Sequence, residues 1–236
     1  MFIKTIGILG GMGPVASADT YVALTNICQQ KYQAVQDSDF PKIILYSCPI
    51  QEFDHEGFTE DALQRKVILD KLIAALQTLE KAGAQLVVID CNTVHYFFDE
   101  LQKSINIPIV NLIRLTVDYV QAMKYKKVAV LCSQTSRDLN LYAAPLKASG
   151  LEVLQTSDAE QEIINEAILA VMGGTVNTHH IAHINELIEN YAHAGAECVI
   201  LGCTEISNIA RKLTHQAVLV DSEALAIEKA VLLAKD

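Results

Sequence analysis

One pattern occurs twice in the chain, and it constrains the fold more than any other feature of the sequence. The segment GAQLVVIDCNT at residues 83–93 corresponds to GAECVILGCTE at residues 195–205. Both begin with Gly-Ala, continue as a short hydrophobic stretch and end in a cysteine followed by small polar residues. A second correspondence relates KTIGILGGMG at residues 4–13 to KKVAVLCSQT at residues 126–135. The copies lie about half a chain apart, so the sequence predicts two similar halves.

Short β-branched runs alternate with longer amphipathic stretches, such as residues 59–82, where apolar residues keep the helical period. The predicted strands are residues 2–9, 42–48, 85–90, 127–132, 151–154, 197–201 and 217–220. This alternation is typical of an α/β fold with a mostly parallel sheet and helices on both faces. Ligands of such sheets bind outside the carboxyl ends of the strands. We therefore predict two pseudo-symmetric α/β domains, with the active site in the cleft between them.

The predicted boundary between the halves lies near residues 108–114, and no Pro- or Ser-rich linker marks it. The last strand and helix resemble a return of the chain to the first half. The first domain is accordingly predicted to comprise residues 1–110 plus 215–236, and the second residues 111–214.

Composition excludes several classes of partner. The net charge is −10, which gives no basic surface for nucleic acid or an anionic membrane. No apolar run approaches the roughly 18 residues that a membrane span requires, and the amino terminus is typical of a β-strand, not a signal peptide. These features predict a cytoplasmic protein. Its six cysteines are expected to be reduced, and none forms a CxxC pair, so no metal site is predicted.

Cys91 and Cys203 occupy matching places in the two copies of the repeat. A single cysteine after a buried strand is usually a small core residue, but a matched pair favours a chemical role. Each thiol is predicted to lie near a helix amino terminus, which would lower its pKa. One such thiol could remove a proton from a carbon while the other delivers a proton to the opposite face, which inverts that centre.

The motifs ILGGMGP near the amino terminus, CNTVH at residues 91–95 and GCTE at residues 202–205 together resemble the aspartate/glutamate racemase family. The resemblance covers essentially the whole chain. It implies a cofactor-independent racemase of a free amino acid that needs no pyridoxal phosphate, with Cys91 and Cys203 as the two acid/base thiols. It also implies a homodimer, because relatives are often dimers.

The resemblance extends to residues that would contact the substrate. These residues are Met12, Asn92, Thr93, Ser133, Ser136 and Thr204. The two residues after Cys91 and the threonine after Cys203 would hold the substrate α-carboxylate, which suits N–H and hydroxyl donors. The two serines stand where the family has threonines. The methionine lies in the glycine loop that would approach a small substrate.

His95 and Glu205 follow the two cysteines closely and could orient them or help to deprotonate them. Two other interpretations remain open. His95 could bond a neighbouring backbone group, and Glu205 could be favoured by the positive end of the helix that it opens.

Two departures from the family pattern bear on the substrate. Family members that act on aspartate or glutamate have an arginine where this chain has Gln51, and a lysine where it has Gln161 or Glu162. A substrate side-chain carboxylate would lack these cations, and Glu162 would repel it. We therefore expect a neutral or basic amino acid as substrate. Arg137 or Arg65 could replace the missing cations, which keeps an aspartate or glutamate racemase as the alternative.

Other hypotheses remain beside this one. GMGPVA at residues 11–16 is a weak dinucleotide fingerprint, and no acid ends the second strand to bind a ribose. A hydantoin racemase or decarboxylase relative would keep the fold, and a catalytically silent amino-acid-binding protein would keep the site. His179 and His183 share a helix face, but a helix start capped by Asn177 or Thr178 is the preferred interpretation.

Overall fold

The computed structural model describes residues 2–50, 62–210, 212–213 and 217–235. By its internal contacts the chain divides into two compact units, Met1–Asn111 with Ala224–Asp236, and Leu112–Glu223. Within the described residues, no helix is long and apolar enough to cross a membrane.

The first unit contains a four-stranded parallel sheet with the order β2-β1-β3-β4. Its strands are β1 (Ile6–Gly10), β2 (Ile43–Ser47), β3 (Leu86–Ile89) and β4 (Ile109–Val110), and its helices are α1 (Pro14–Tyr32), α2 (Ala62–Lys81), α3 (Phe98–Lys103) and most of α10 (Ser222–Lys235). Every residue of β1 and β3 is buried, as expected for the central strands of a parallel sheet that helices cover on both faces.

The second unit contains a four-stranded parallel sheet with the order β6-β5-β7-β8. Its strands are β5 (Lys127–Cys132), β6 (Glu152–Leu154), β7 (Cys198–Gly202) and β8 (Leu219–Asp221). Its helices are α4 (Leu112–Ala122), α5 (Gln134–Asp138), α6 (Ala143–Ala148), α7 (Asp158–Met172), α8 (Thr178–His193) and α9 (Thr204–Ala210). The apolar faces of α7, α8 and α9 pack with β5 and β7 in one core.

The two sheets have the same strand order, so each strand of one has a counterpart in the other. The repeated segments form β3 and β7, which occupy the same position in their sheets, and the second pair of similar segments forms β1 and β5. The predicted fold class, two α/β sheets flanked by helices, is confirmed.

The described residues 217–235 divide between the two units. β8 pairs with β7 and therefore belongs to the sheet of the second unit, because the ladder with β7 satisfies its backbone groups. Helix α10 returns to the first unit, where Ile3 N donates to Ala234 O at 2.9 Å and Lys31 pairs with Glu228.

Candidate functional site

The loop after β1 packs closely against the end of β2. Gly11 has a φ of +97°, and a Cβ at this position would overlap the backbone of Cys48. The backbone N–H of Gly11 donates to Ser17 Oγ at 2.9 Å, and Cys48 N donates to Gly10 O at 2.8 Å. Met12 is buried in this loop. The glycines therefore hold the loop at the carboxyl edge of the sheet, where only a residue without a side chain fits.

A buried hydrogen bond anchors the end of β3, next to the first repeated cysteine. Thr20 Oγ1 on α1 donates to Asp90 Oδ1 at 2.8 Å, and Asp90 N donates to Leu9 O at 2.9 Å. Cys91, the next residue, is buried. Sequence reasoning did not identify Thr20, because no local pattern links a helix residue to a strand end 70 positions later.

A 3₁₀ helix, Thr93–Phe97, follows Cys91 and leads directly into α3. Asn92 and Thr93 are both buried at its start. His95 is also buried, with Nδ1 3.0 Å from Cys91 O and Nε2 3.4 Å from Val110 O. Burial lowers the pKa of His95, so the ring is neutral at pH 7 and carries one N–H.

The position of His95 agrees with the backbone-bonding interpretation. A neutral imidazole can donate only once, and the shorter distance favours Nδ1–H donating to Cys91 O. The ring therefore acts on the carbonyl of Cys91 and holds the turn that carries the thiol.

Cys203 lies between β7 and α9 and bonds an acidic residue. Its Sγ–H donates to Glu205 Oε2 at 3.1 Å, and Thr204 Oγ1 donates to the same oxygen at 3.0 Å. All three side chains are buried. The hydroxyl of Thr204, expected to contact a substrate carboxylate, thus bonds the carboxylate of Glu205 in this structure.

The predicted lowering of the thiol pKa is wrong for Cys203. Burial raises the pKa of Cys203 well above its ordinary value, and the negative charge of Glu205 and its hydrogen bond with the thiol raise it further. The backbone N–H groups of Glu205 and Ile206 act in the opposite direction but are weaker. The amino terminus of α9 is present as expected, but desolvation and the adjacent carboxylate outweigh it.

The two serines after β5 form a local cap. Ser133 is the N-cap of α5, and its Oγ accepts from Ser136 N at 3.3 Å and donates to Ser136 Oγ at 3.1 Å. These hydroxyls lie in the segment after β5. β5 pairs with β7, the strand that immediately precedes Cys203.

Helix α7 distinguishes the two candidates for the missing lysine position. Gln161 is buried and Glu162 is exposed. The amide of Gln161 accepts from Thr156 Oγ1 at 2.8 Å and donates to Cys132 O and Asn165 Oδ1, both at 3.0 Å. A neutral amide therefore stands at the end of β5, and the structure does not bring Glu162 to it.

The two alternative cations have different environments. Arg137 donates to Thr156 O at 3.4 Å and pairs with Asp158 at 3.0 Å. Arg65 donates to Tyr96 OH at 3.2 Å and lines an open groove of about 840 Å³ in the first unit, together with His95 and Asn111. Gln51, the remaining substrate-binding candidate, lies outside the described residues.

Apart from the exposed Glu162 on α7, the described candidates form two groups, one in each unit. The first contains Met12, Cys91, Asn92, Thr93 and His95, and the second contains Ser133, Ser136, Cys203, Thr204 and Glu205. Each group follows the carboxyl ends of its own parallel strands, where α/β folds bind ligands.

The histidine-rich start of α8 has the predicted capped geometry. Asn177 Oδ1 accepts from His179 N at 2.9 Å and from His180 N at 3.3 Å. Within the described part of the chain, no group of three or more His, Cys, Asp or Glu residues could hold a metal ion.

A family model described as Asp/Glu/Hydantoin racemase matches residues 9–230 of the chain. The chain is a member of this family. The predictions of the family and of a racemase as the enzyme class are therefore confirmed.

Relatives within the racemase family resemble nearly the full length of the chain. The broad specificity amino-acid racemase RacX of Bacillus subtilis (strain 168) is 27% identical over 226 residues, which cover 96% of each chain. The crystal structure of an aspartate racemase homologue from Pyrococcus horikoshii OT3 is 29% identical, covers 99% of this chain and 100% of its own, and has a TM-score of 0.80. Glutamate racemase from Campylobacter jejuni shares the fold, with 17% identity, a TM-score of 0.67 and coverage of 95% and 84%.

Proposed function

We propose that this racemase-family protein inverts the α-carbon of a free amino acid through the two thiols of Cys91 and Cys203, without a cofactor. One observation carries the proposal: two buried thiols lie within two residues of the ends of the corresponding strands β3 and β7, in two sheets with the same strand order. A reaction that removes a proton from one face of a carbon and adds one to the other face requires two acid/base groups, and the two halves each supply one thiol at the same position.

The contact between Cys203 and Glu205 suggests how the second thiol works. With its pKa raised, Cys203 is a protonated thiol at neutral pH and can act as the acid that donates to the carbanion. For the reverse reaction it must become the base. Glu205 Oε2, 3.1 Å away, is then the acceptor for the thiol proton. Cys91 takes the complementary role in each direction.

Stabilisation of the carbanion depends on fixed hydrogen-bond donors, because no cofactor delocalises its charge. Asn92 and Thr93 are buried at the start of the 3₁₀ helix after Cys91, which suits a dry site for the substrate α-carboxylate. Thr204 would contribute through its backbone N–H while its hydroxyl bonds Glu205. Met12 and the serines after β5 would complete the walls of the site.

The substrate that we propose is an amino acid with a neutral or basic side chain. The neutral amide of Gln161 and its three hydrogen bonds support this choice, since a buried substrate carboxylate would find no cation there. Arg137, which donates to the backbone of the same Thr156 that bonds Gln161, already pairs with Asp158. The broad specificity named for RacX of B. subtilis is compatible with the same proposal. Six free thiols further support a reducing, cytoplasmic location.

Solvent deuterium exchange tests the mechanism. The protein is incubated with single neutral, basic and acidic amino acids in deuterium oxide, and α-proton loss and enantiomer ratio are followed by NMR and chiral chromatography. We expect Cys91→Ala and Cys203→Ala to lose racemisation by at least about 10³-fold, whereas Cys48→Ala keeps it. If either single variant still racemises at a wild-type rate, the two-thiol mechanism is wrong.

The same experiment separates the alternatives. Fast exchange on aspartate or glutamate alone, lost in Arg137→Gln, would favour a dicarboxylate racemase in which Arg137 binds the side chain. Measurable binding of an amino acid without any α-deuterium would instead favour a silent binding protein.

A further inference from the structure

Tyr142 immediately precedes α6 and is almost completely buried, with 1% of its surface exposed. An enclosed tyrosine must pack its ring and also find a partner for its hydroxyl, so the contacts at its two ends show what it holds in place. For Tyr142, both ends of the side chain lead to β7, the strand that precedes Cys203.

The ring of Tyr142 fills the space that a side chain of Gly202 would occupy. A Cβ at Gly202 would lie 2.8 Å from Cε2 of Tyr142 and 3.1 Å from Cβ of Cys132, which pairs with Gly202 in the sheet. Both distances are shorter than the roughly 3.5–4.0 Å at which carbon atoms pack. Glycine therefore lets the edge of the ring lie directly on the backbone of β7, one residue before Cys203.

The hydroxyl of Tyr142 is connected to the same strand through Ser222. Ser222 Oγ donates to Leu201 O at 2.7 Å, and Thr116 Oγ1 donates to a main-chain carbonyl of α4 at 2.7 Å. Tyr142 is hydrogen-bonded with both of these hydroxyls. Because each of them gives its own proton to a carbonyl, each accepts from the phenol, which donates to one at a time. The chain of bonds through Ser222 ends on Leu201, two residues before Cys203.

The residue before the first thiol is supported in a different way. Asp90 stands where the second copy of the repeat has Gly202, and its carboxylate accepts from a threonine hydroxyl of α1 at 2.8 Å. In the first unit the side chain before the thiol makes its own contact, whereas in the second unit Tyr142 supplies it. A change at Tyr142 should therefore act on Cys203 and leave Cys91 in place.

We propose that Tyr142 is a positioning residue for the thiol of Cys203. It acts through the backbone of β7, because its ring fixes Gly202 and its hydroxyl fixes Leu201. The inference rests on the proposed role of Cys203 as one of two acid/base thiols. Proton transfer depends steeply on the placement of the thiol, and a displacement of about 1 Å can cost about 10²-fold in rate.

The test removes the hydroxyl and keeps the ring, in Tyr142→Phe, with Tyr191→Phe as the matched control. Tyr191 is also buried in the second unit, but its hydroxyl donates to Glu160 Oε2 on α7 at 3.0 Å. The probes are the D and L enantiomers of alanine and of lysine, one neutral and one basic amino acid. We expect Tyr142→Phe to lower kcat by about 10-fold with KM within about 2-fold of the wild type. Tyr191→Phe should keep both constants.

Kinetic isotope effects distinguish a displaced thiol from a general loss of folded protein. Each enantiomer is compared with its α-deuterated form, and the isotope effect on kcat/KM is measured. In Tyr142→Phe we expect the effect to rise for the enantiomer from which Cys203 takes the proton, because that cleavage limits the rate more strongly. We expect it to fall for the other enantiomer, because proton delivery by Cys203 then limits the rate after the labelled bond has broken. A smaller folded fraction would leave both effects unchanged.

Folding is checked by circular dichroism, and Ser222→Ala breaks the same chain of bonds if Tyr142→Phe does not fold. A folded variant with both isotope effects unchanged would overturn the inference, as would an equal loss of kcat in Tyr191→Phe. Cys203→Ala keeps two failures apart. If it racemises at the wild-type rate, the two-thiol mechanism itself is wrong. If it is inactive while Tyr142→Phe equals the wild type, only the role of Tyr142 is refuted.

Discussion

Replacing Gln161 with leucine removes three hydrogen bonds from the interior of the second unit. The amide joins Thr156 Oγ1, the carbonyl of Cys132 and Asn165 Oδ1, and it is almost completely buried. Leucine has a similar size and the same helix propensity, so α7 itself should persist. The substitution therefore isolates the buried polar contacts.

The expected cost follows from these contacts. Each neutral hydrogen bond contributes about 1 kcal/mol net, so the three together contribute about 3 kcal/mol. Burial of the extra apolar surface of leucine stabilises the fold by about 1 kcal/mol at most. The free energy of unfolding should therefore fall by about 2–3 kcal/mol. For a chain of this length, that loss corresponds to a fall in Tm of about 5–10 °C.

Differential scanning calorimetry measures this change, and Glu162→Leu is the matched control. Glu162 is the next residue of the same helix and is exposed, so its substitution should change stability by less than about 0.5 kcal/mol. A Gln161→Leu variant that melts within about 2 °C of the wild type would refute the reasoning. An equal loss in both variants would show that the buried bonds are not the cause.

The remaining predictions concern the two candidate groups. Burial lowers the folded-state pKa of His95 below its unfolded value of about 6.5. As pH falls, the unfolded state therefore takes up the proton first, and the free energy of unfolding should decrease from pH 7 to about pH 5. Urea unfolding should show a shallower decrease for His95→Asn, and an identical slope would contradict this. Glu205→Gln removes a charge that raises the pKa of Cys203, so the alkaline limb of the pH profile of kcat/KM should move to lower pH. An alkaline limb that does not move would show that Glu205 does not influence the thiol of Cys203. Thr20→Val removes the hydroxyl that donates to the buried carboxylate of Asp90, and it should lower the free energy of unfolding by about 2 kcal/mol. Urea titrations measure this change. An unchanged free energy of unfolding would show that this hydrogen bond does not stabilise the fold.

Most strands could be predicted from the sequence, because buried parallel strands are continuous apolar runs. Residues 127–132 form β5 as predicted. The first strand was predicted to begin at residue 2, but β1 begins at Ile6. The residues before it bond the end of α10 instead, with Ile3 N and Lys4 N both donating to Ala234 O. Such a contact between the two ends of the chain leaves no local pattern.

Positions in the candidate site were easier to predict than their electrostatics. The places of Cys91 and Cys203 after their strands follow from the repeat, but the pKa of Cys203 depends on burial and on a 3.1 Å contact that the sequence does not encode locally. Helical spacing could have separated Gln161 from Glu162. Gln161 lies three residues before the buried Ile164, on the same face of α7.

The return of α10 to the first unit has a consequence for the order in which the chain folds during synthesis. Residues of the second unit are continuous in sequence, from Leu112 to Glu223, whereas the first unit also needs Ala224–Asp236, which are synthesised after the whole of the second unit. The bonds of Ile3 and Lys4 to Ala234 can form only after Ala234 has been synthesised. The nascent first unit must therefore wait for the buried side chains of α10, among them Ile227 and Val231, while the second unit can already complete its own core.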